Sequence, residues 1–238
     1  MGRVVNFAEA PMQHAADGVA RAPITPGARE MAAELVRIAP GKRFAASVPA
    51  GSDGYLFGLA GTAELSAGAE RHSLGAQTFA AVQEGTEFAL DNAGASPAEL
   101  VWVIAPPQPN GRAGFRGPMH VAARTDAPVV AVPEQKKTRF YFVDPAAAQS
   151  ERGHAMIVGY EPDTVTGLHH HPDAESLFVV LDGALAFTVN GAQEIVRPGE
   201  AAWFGTNDPH GLRVADGFGA ASFLEFHIPA AYTTVKHG

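Results

Sequence analysis

The 238-residue sequence contains no cysteine, which excludes disulfide bonds and thiolate metal ligands. Positive charge is also scarce, because 17 Lys and Arg residues stand against 25 Asp and Glu residues, giving a net charge of −8. This balance argues against a nucleic-acid partner bound through its phosphates. No apolar run is long enough to span a bilayer, and the first residues do not resemble a signal peptide. We therefore expect a cytoplasmic protein with no membrane partner.

The composition is that of a globular protein with many turns. Hydrophobic residues make up 46% of the chain and charged residues 18%, so a sizeable core can form. The 26 glycines and 18 prolines are typical of short strands joined by tight turns. These features predict an all-β fold.

The most informative stretch is residues 167–183, which reads Gly-Leu-His-His-His-Pro-Asp-Ala-Glu-Ser-Leu-Phe-Val-Val-Leu-Asp-Gly. Side chains alternate between the two faces of a strand, so His169 and His171 point the same way and His170 points the opposite way. Glu175 can join the first pair if the chain turns at Pro172-Asp173. Two imidazoles and a carboxylate at one point suit a divalent transition metal. His210, in Asn-Asp-Pro-His-Gly, is the best candidate for a further ligand.

These motifs resemble those of the cupin family, whose fold is an all-β barrel. The first motif is His169-x-His171-x3-Glu175 followed by Gly183, and the second runs from Pro198-Gly199-Glu200 to His210. The resemblance implies a metal held by His169, His171, Glu175 and His210.

The spacing leaves two alternatives for the acidic ligand. Seven residues separate Glu175 from Gly183, where the family usually has six. Counted back from Gly183, the acidic position falls on Ser176, so either a bulge turns Glu175 inward or the carboxylate ligand is missing. Glu175 is the preferred prediction.

An internal repeat predicts two barrels. Residues 40–61 can be laid over residues 162–183, with apolar runs and turns in agreement. We therefore predict two tandem cupin barrels, one over residues 1–118 and one over residues 119–238. The repeat also predicts a strand over residues 31–38, although the local composition favours a helix.

The overlay predicts one metal per chain. The ligand positions of the second half correspond in the first half to Ser47, Pro49, Asp53 and Thr86, which cannot hold a transition metal against water. Between the barrels, the Pro- and Gly-rich residues 105–118 predict a connection. Residues 128–132 predict an edge strand, and residues 143–150 predict a turn with a short helical piece.

The layout resembles the bicupin (S)-ureidoglycine aminohydrolases. The shared phrases are Arg139-Phe-Tyr-Phe-Val-Asp-Pro, Tyr160-Glu-Pro and Val179-Val-Leu-Asp-Gly. The resemblance implies a metal, Mn2+ in preference to Fe2+, Zn2+ or Ni2+, at which water displaces ammonia from a small polar metabolite. The tyrosine–lysine pair of that family is replaced by Phe226-His227, so Glu225 and His227 become the candidate catalytic bases.

Two other functions stay open at this level. Three histidines and a glutamate are also the ligand set of mononuclear iron cupin dioxygenases, and a metal-containing barrel can be a non-catalytic binding protein. The candidates for the pocket lining are Phe178 or Val179, Phe187, Trp203, Phe226 and His227. The resemblance further implies a small-molecule substrate and a homo-oligomer, a dimer or larger.

Overall fold

The computed structural model describes residues 1–14, 17–106, 111–144 and 148–237. Strands dominate, as predicted for an all-β protein, and no α-helix occurs in these ranges. The strands of the first half are β1 Arg3–Asn6, β2 Gln13–His14, β3 Val19–Pro23, β4 Ala32–Ile38, β5 Lys42–Ser47, β6 Asp53–Ala60, β7 Thr62–Ala67, β8 Glu70–Gly75, β9 Thr78–Val82, β10 Glu87–Asn92, β11 Ala98–Ala105 and β12 Met119–Ala123.

The second half repeats this arrangement, and its first strand lies between two short 3-10 helices, Arg124–Asp126 and Pro133–Gln135. Its strands are β13 Val129–Val132, β14 Lys137–Val143, β15 His154–Tyr160, β16 Val165–His170, β17 Glu175–Asp182, β18 Leu185–Val189, β19 Ala192–Val196, β20 Glu200–Phe204, β21 His210–Val214, β22 Ala221–Ile228 and β23 Val235–Lys236. The part of the chain that the structure describes forms no helix long and apolar enough to cross a membrane.

Each barrel consists of two facing sheets. In the first barrel the strand orders are β12-β9-β6-β11-β4-β3-β2 and β5-β10-β7-β8. In the second they are β1-β20-β17-β22-β15-β14-β13 and β19-β18-β21-β16-β23. The two larger sheets share one apolar core between the barrels, where Phe79 stacks on Phe142 at 4.9 Å and Tyr55 on Phe226 at 6.0 Å between ring centroids. The barrels therefore form a continuous body.

A boundary at residue 118 assigns β1 to the first barrel and β12 to the second. In the structure each of these two strands pairs in the opposite barrel. The N-terminal β1 pairs with β20 at the edge of the second barrel. The strand after the connection, β12, pairs with β9 of the first barrel. The sequence repeat locates the strands that recur in each half, but it contains no information about these exchanged edge strands.

The register of the central strands confirms the repeat. In the first barrel Gly54 of β6 faces Ile104 of β11, and in the second Ser176 of β17 faces His227 of β22. A register shift interrupts both ladders at the equivalent place, between Glu99 and Leu100 in one barrel and between Val180 and Asp182 in the other. These irregularities are β-bulges that bend the strand around the barrel.

The predicted strand over residues 31–38 is confirmed by β4, which begins at Ala32. It pairs with β3 on one side and β11 on the other, so its backbone groups are satisfied by neighbouring strands. Leu35 faces the core between the barrels, while Val36 faces the interior of the first barrel. Burial on both faces outweighs the helix propensity of the segment.

The connection and the edge strand also match the predictions. Residues 111–118 contain no strand, and β13 pairs with β14 alone at the edge of its sheet. The short helical piece was predicted over a segment whose residues 145–147 lie outside the described residues.

Candidate metal centre

Three histidines come together at the mouth of the second barrel. His169 lies near the end of β16, His171 follows that strand, and His210 opens β21, where it pairs with His169. Their ligand atoms all lie within 4.8 Å of one another. His170 points away, as predicted, and its Nδ1 contacts Nε2 of His237 at 2.8 Å.

Backbone carbonyls orient all three rings. Nδ1 of His169 lies 2.8 Å from the oxygen of Gly167, Nδ1 of His171 lies 2.9 Å from that of Thr233, and Nδ1 of His210 lies 2.9 Å from that of Asp208. Because a carbonyl only accepts, each Nδ1 carries the proton and each Nε2 presents a lone pair. Nε2 of His171 and of His210 is buried without a hydrogen-bond partner. Such orphaned nitrogens fit a divalent transition metal.

The surroundings keep the three rings neutral. Burial lowers the pKa of His171 to about 4 and that of His210 to about 3, and it also lowers the pKa of His169. The ring of Phe204 stacks on His210 with centroids 4.4 Å apart. Neutral imidazole is the form that binds a metal, so the site needs no deprotonation at neutral pH.

Glu175 does not join this cluster, which corrects the preferred prediction. Its carboxylate accepts backbone hydrogen bonds from Arg29 at 2.9 Å, Glu30 at 3.0 Å and Met31 at 3.2 Å. Glu175 pairs with Ile228, a residue of the core between the barrels. With the bulge of β17 beyond Val180, Glu175 lies on the same face as Leu177 and Val179, which pack in the core between the barrels.

Ser176 takes the inward position instead. Its Oγ lies 2.9 Å from Nδ1 of His227, and Nε2 of His227 lies 2.6 Å from Oε1 of Glu225. Both ring nitrogens of His227 are thus engaged, although the ring centroid lies only 5.0 Å from that of His171. His227 is therefore a neighbour of the three-histidine cluster and not a ligand in it.

Glu225 stays ionised in this buried environment. Burial by itself would raise its pKa, but the charge and hydrogen bond of His227, with His154 and Lys137, outweigh burial and hold the pKa below its usual value. The pair predicted from the sequence, Glu225 and His227, thus faces the barrel interior beside the histidines.

A cavity of about 370 Å3 opens onto this group. Its polar lining includes Lys137, Arg139 and Glu225, and Lys137 Nζ donates to Thr166 Oγ1 at 2.7 Å. Its apolar wall consists of Met156, Val158, Phe178, Leu212 and Phe223.

The predicted lining residues divide between three places. Phe178 and His227 line the cavity, and Phe187 packs in the core of the same barrel. Val179, Trp203 and Phe226 face the core between the barrels, because they lie on the opposite side of their strands. Of the two alternatives Phe178 and Val179, the structure selects Phe178.

Several residues of the site were not found from the sequence. His154 stacks on His227, and the C-terminal segment brings Tyr232 against both His171 and His227. The tail carries no strand pattern of its own, so only the tertiary structure locates it. The sequence did contain a signal for Lys137 and Arg139. They are alternate residues of β14, and alternate residues of a strand point to the same face.

The described residues of the first barrel form no comparable centre. Within the described ranges, the three histidines of the second barrel are the one group able to hold a metal. Trp102 occupies the position equivalent to Glu225, and its ring fills the space beside Gly54. Asp53 instead pairs with Arg152 at 3.2 Å and accepts a backbone hydrogen bond from Phe115.

Comparisons with known proteins agree with this architecture. Residues 156–227 match the family model of the Cupin domain. No curated protein sequence matches the chain significantly.

Solved structures resemble the chain over nearly its whole length. A structure assigned to a glyoxylate-induced protein of Pseudomonas aeruginosa has a TM-score of 0.78 at 18% identity, covering 100% of this chain and 90% of that one. Protein Ylba of E. coli, of family DUF861, has a TM-score of 0.76 at 10% identity, covering 95% and 90%. The oxalate decarboxylase of Lactobacillus farciminis has a TM-score of 0.71 at 15% identity, covering 98% and 88%. Residues 156–227 are therefore a cupin domain, and the chain as a whole has the bicupin fold.

Proposed function

We propose that this protein is a metal-dependent enzyme of the bicupin type that replaces an amine of a small polar metabolite by water, as a (S)-ureidoglycine aminohydrolase would. The observation that carries the proposal is the convergence of three oriented histidine Nε2 atoms beside the Glu225–His227 pair. His169, His171 and His210 would hold one divalent metal, with Mn2+ preferred. When bound, the metal supplies Lewis-acid polarisation of the substrate.

The residues around the cavity suit a polar substrate. Lys137 and Arg139 offer cationic groups to an anionic end of the metabolite, and the Glu225 carboxylate can accept a proton. A new bond forms between the oxygen of water and the carbon bearing the amine, the carbon–nitrogen bond breaks, and one proton of the water leaves with the ammonia. The Glu225–His227 pair would carry that proton, because the ring Nε2 and the carboxylate are already hydrogen-bonded.

The test combines metal analysis with ammonia release. We expect about one metal per chain, lost in His171→Ala and His210→Ala, and ammonia release from (S)-ureidoglycine by the manganese-loaded protein. Glu225→Gln should retain the metal and lose roughly 10²–10⁴-fold in turnover, the usual contribution of a general base. A metal-loaded protein that releases no ammonia from ureidoglycine and related amines would contradict the aminohydrolase.

A mononuclear iron dioxygenase is the second candidate. It is favoured by the apolar wall of the cavity, which would exclude water from a reactive centre. Iron at one per chain with substrate-dependent oxygen uptake would support it. Metal binding with no turnover in either assay would support a non-catalytic binding protein.

A further inference from the structure

We propose that the C-terminal segment, residues 232–237, is part of the metal centre, and that Asp173 and Thr233 are positioning residues for His171. The inference rests on the metal site proposed above. The backbone oxygen of Thr233 is the acceptor for Nδ1 of His171, at 2.9 Å. This contact selects the tautomer whose Nε2 faces the cluster.

A carboxylate clasp holds that carbonyl in place. Asp173 accepts the backbone N–H of Thr233 at one oxygen and the Thr233 hydroxyl at the other, each at 2.8 Å. Asp173 lies two residues after His171. The same turn of the chain therefore carries the histidine and the carboxylate that holds Thr233, whose carbonyl accepts from Nδ1 of that histidine. The Asp173 side chain is exposed and fills no part of the core.

The rest of the segment seals the same side of the site. β23 pairs with β16 opposite His169 and His170, and the N–H of His237 donates to the oxygen of Leu168 at 3.0 Å. The ring of Tyr232 lies against His171 at 4.7 Å and against His227 at 4.1 Å between centroids. The segment thus covers the edge of the strand that carries the ligands and contributes to the cavity wall.

The main test compares metal affinity in three variants. Asp173→Ala removes the clasp, Thr233→Val removes its hydroxyl half, and deletion of residues 231–238 removes the carbonyl itself. We expect Co2+ and Mn2+ to bind Asp173→Ala roughly 10–100-fold more weakly, the usual effect of losing an outer partner of a ligand, with a smaller loss in Thr233→Val. The control is the exposed Glu194→Ala, which lies outside the segment.

A second measurement needs no metal. Long-range 1H–15N spectra of the metal-free protein report the tautomer of each histidine. We expect His171 to carry its proton on Nδ1 in the parent and to become a mixture of tautomers in the deletion variant, while His210 keeps its tautomer.

The outcomes separate this inference from the proposed function. Equal metal affinity in the parent and in Asp173→Ala, with an unchanged His171 tautomer, would overturn the positioning role and leave the metal site intact. A parent that binds metal through His171 but shows no ammonia release would overturn the function and leave the positioning role intact. The melting temperature of each metal-free variant is measured as well, to distinguish a lower metal affinity from unfolding of the variant.

Discussion

Asp53 and Glu175 occupy equivalent positions at the start of β6 and β17, and both carboxylates bind backbone amides far along the chain. Asp53 accepts the N–H of Phe115 at 3.0 Å, and Glu175 accepts that of Met31 at 3.2 Å. Neither carboxylate belongs to the three-histidine cluster. The acidic residue at this position is therefore an architectural feature of both halves, and Glu175 has the same task as its counterpart in the barrel without a metal centre.

Glu175→Ala should reduce stability without loss of metal. The substitution removes the acceptor of three backbone amides, of which the amide of Met31 is buried. We expect the free energy of unfolding to fall by about 2–4 kcal/mol, since each buried donor without a partner costs about 1–3 kcal/mol. Denaturant unfolding of the metal-free protein measures this. The exposed Glu87→Ala is the control, and loss of metal in Glu175→Ala at unchanged stability would restore Glu175 as a ligand.

Ser176→Ala should affect turnover more than metal content. The change leaves Nδ1 of His227 without its partner and frees the ring to rotate away from Glu225. We expect a loss of about 1–3 kcal/mol in stability from the unpaired buried nitrogen, and a lower kcat with the metal retained. Ser176→Thr, which keeps the hydroxyl, should retain most of the kcat. Equal activity in Ser176→Ala and the parent would show that His227 needs no anchor.

The metal-free protein should become less stable as the pH falls below about 6.5. Burial lowers the pKa of His210 to about 3 in the folded state, against about 6.5 in the unfolded chain. Between these values the unfolded chain binds more protons, so its population grows on acidification. The stability contribution is complete above about pH 6.5 and decreases by about 1.4 kcal/mol per pH unit below it for this one histidine.

Unfolding of the metal-free protein at pH 8, 7, 6 and 5 checks this dependence. His171, with a folded pKa of about 4, changes stability in the same direction. His210→Gln should have a shallower slope below pH 6.5 than the parent. A parent with equal stability at pH 7 and pH 5 would show that these rings are protonated as easily in the folded state as in the unfolded chain.

Lys137→Met should weaken binding of anionic ligands. Lys137 lines the cavity, and its ammonium lies 4.9 Å from the centroid of Tyr160 and donates to Thr166. A hydrogen bond from a charged donor contributes about 1.5–3 kcal/mol, so the affinity for a small carboxylate such as malonate should fall roughly 10–100-fold. Calorimetry of the metal-loaded protein measures it, with the exposed Lys136→Met as control. Unchanged malonate affinity would show that the anion contacts the metal alone.

Much of the architecture follows from the sequence, because strand periodicity and turn residues act locally. Alternation places His169 and His171 on one face of β16 and His170 on the other, and the structure agrees. The repeat predicts two barrels and a strand at β4, and both are confirmed. The three-histidine group in the second half is consistent with the predicted single centre. The alternation of side chains and the positions of the turns are set by residues close together in the chain, so they can be read from the sequence.

Only the tertiary structure decides which side chain of β17 faces the metal centre. The spacing to Gly183 does not decide whether Glu175 or Ser176 points inward, because a bulge in the strand moves the side chains before it to the opposite face of the sheet. The ladder with β22 settles the register by pairing Ser176 with His227. The C-terminal segment is a similar case. Thr233 lies 62 residues from His171, and the hydrogen bond between them exists because the barrel brings these two parts of the chain together.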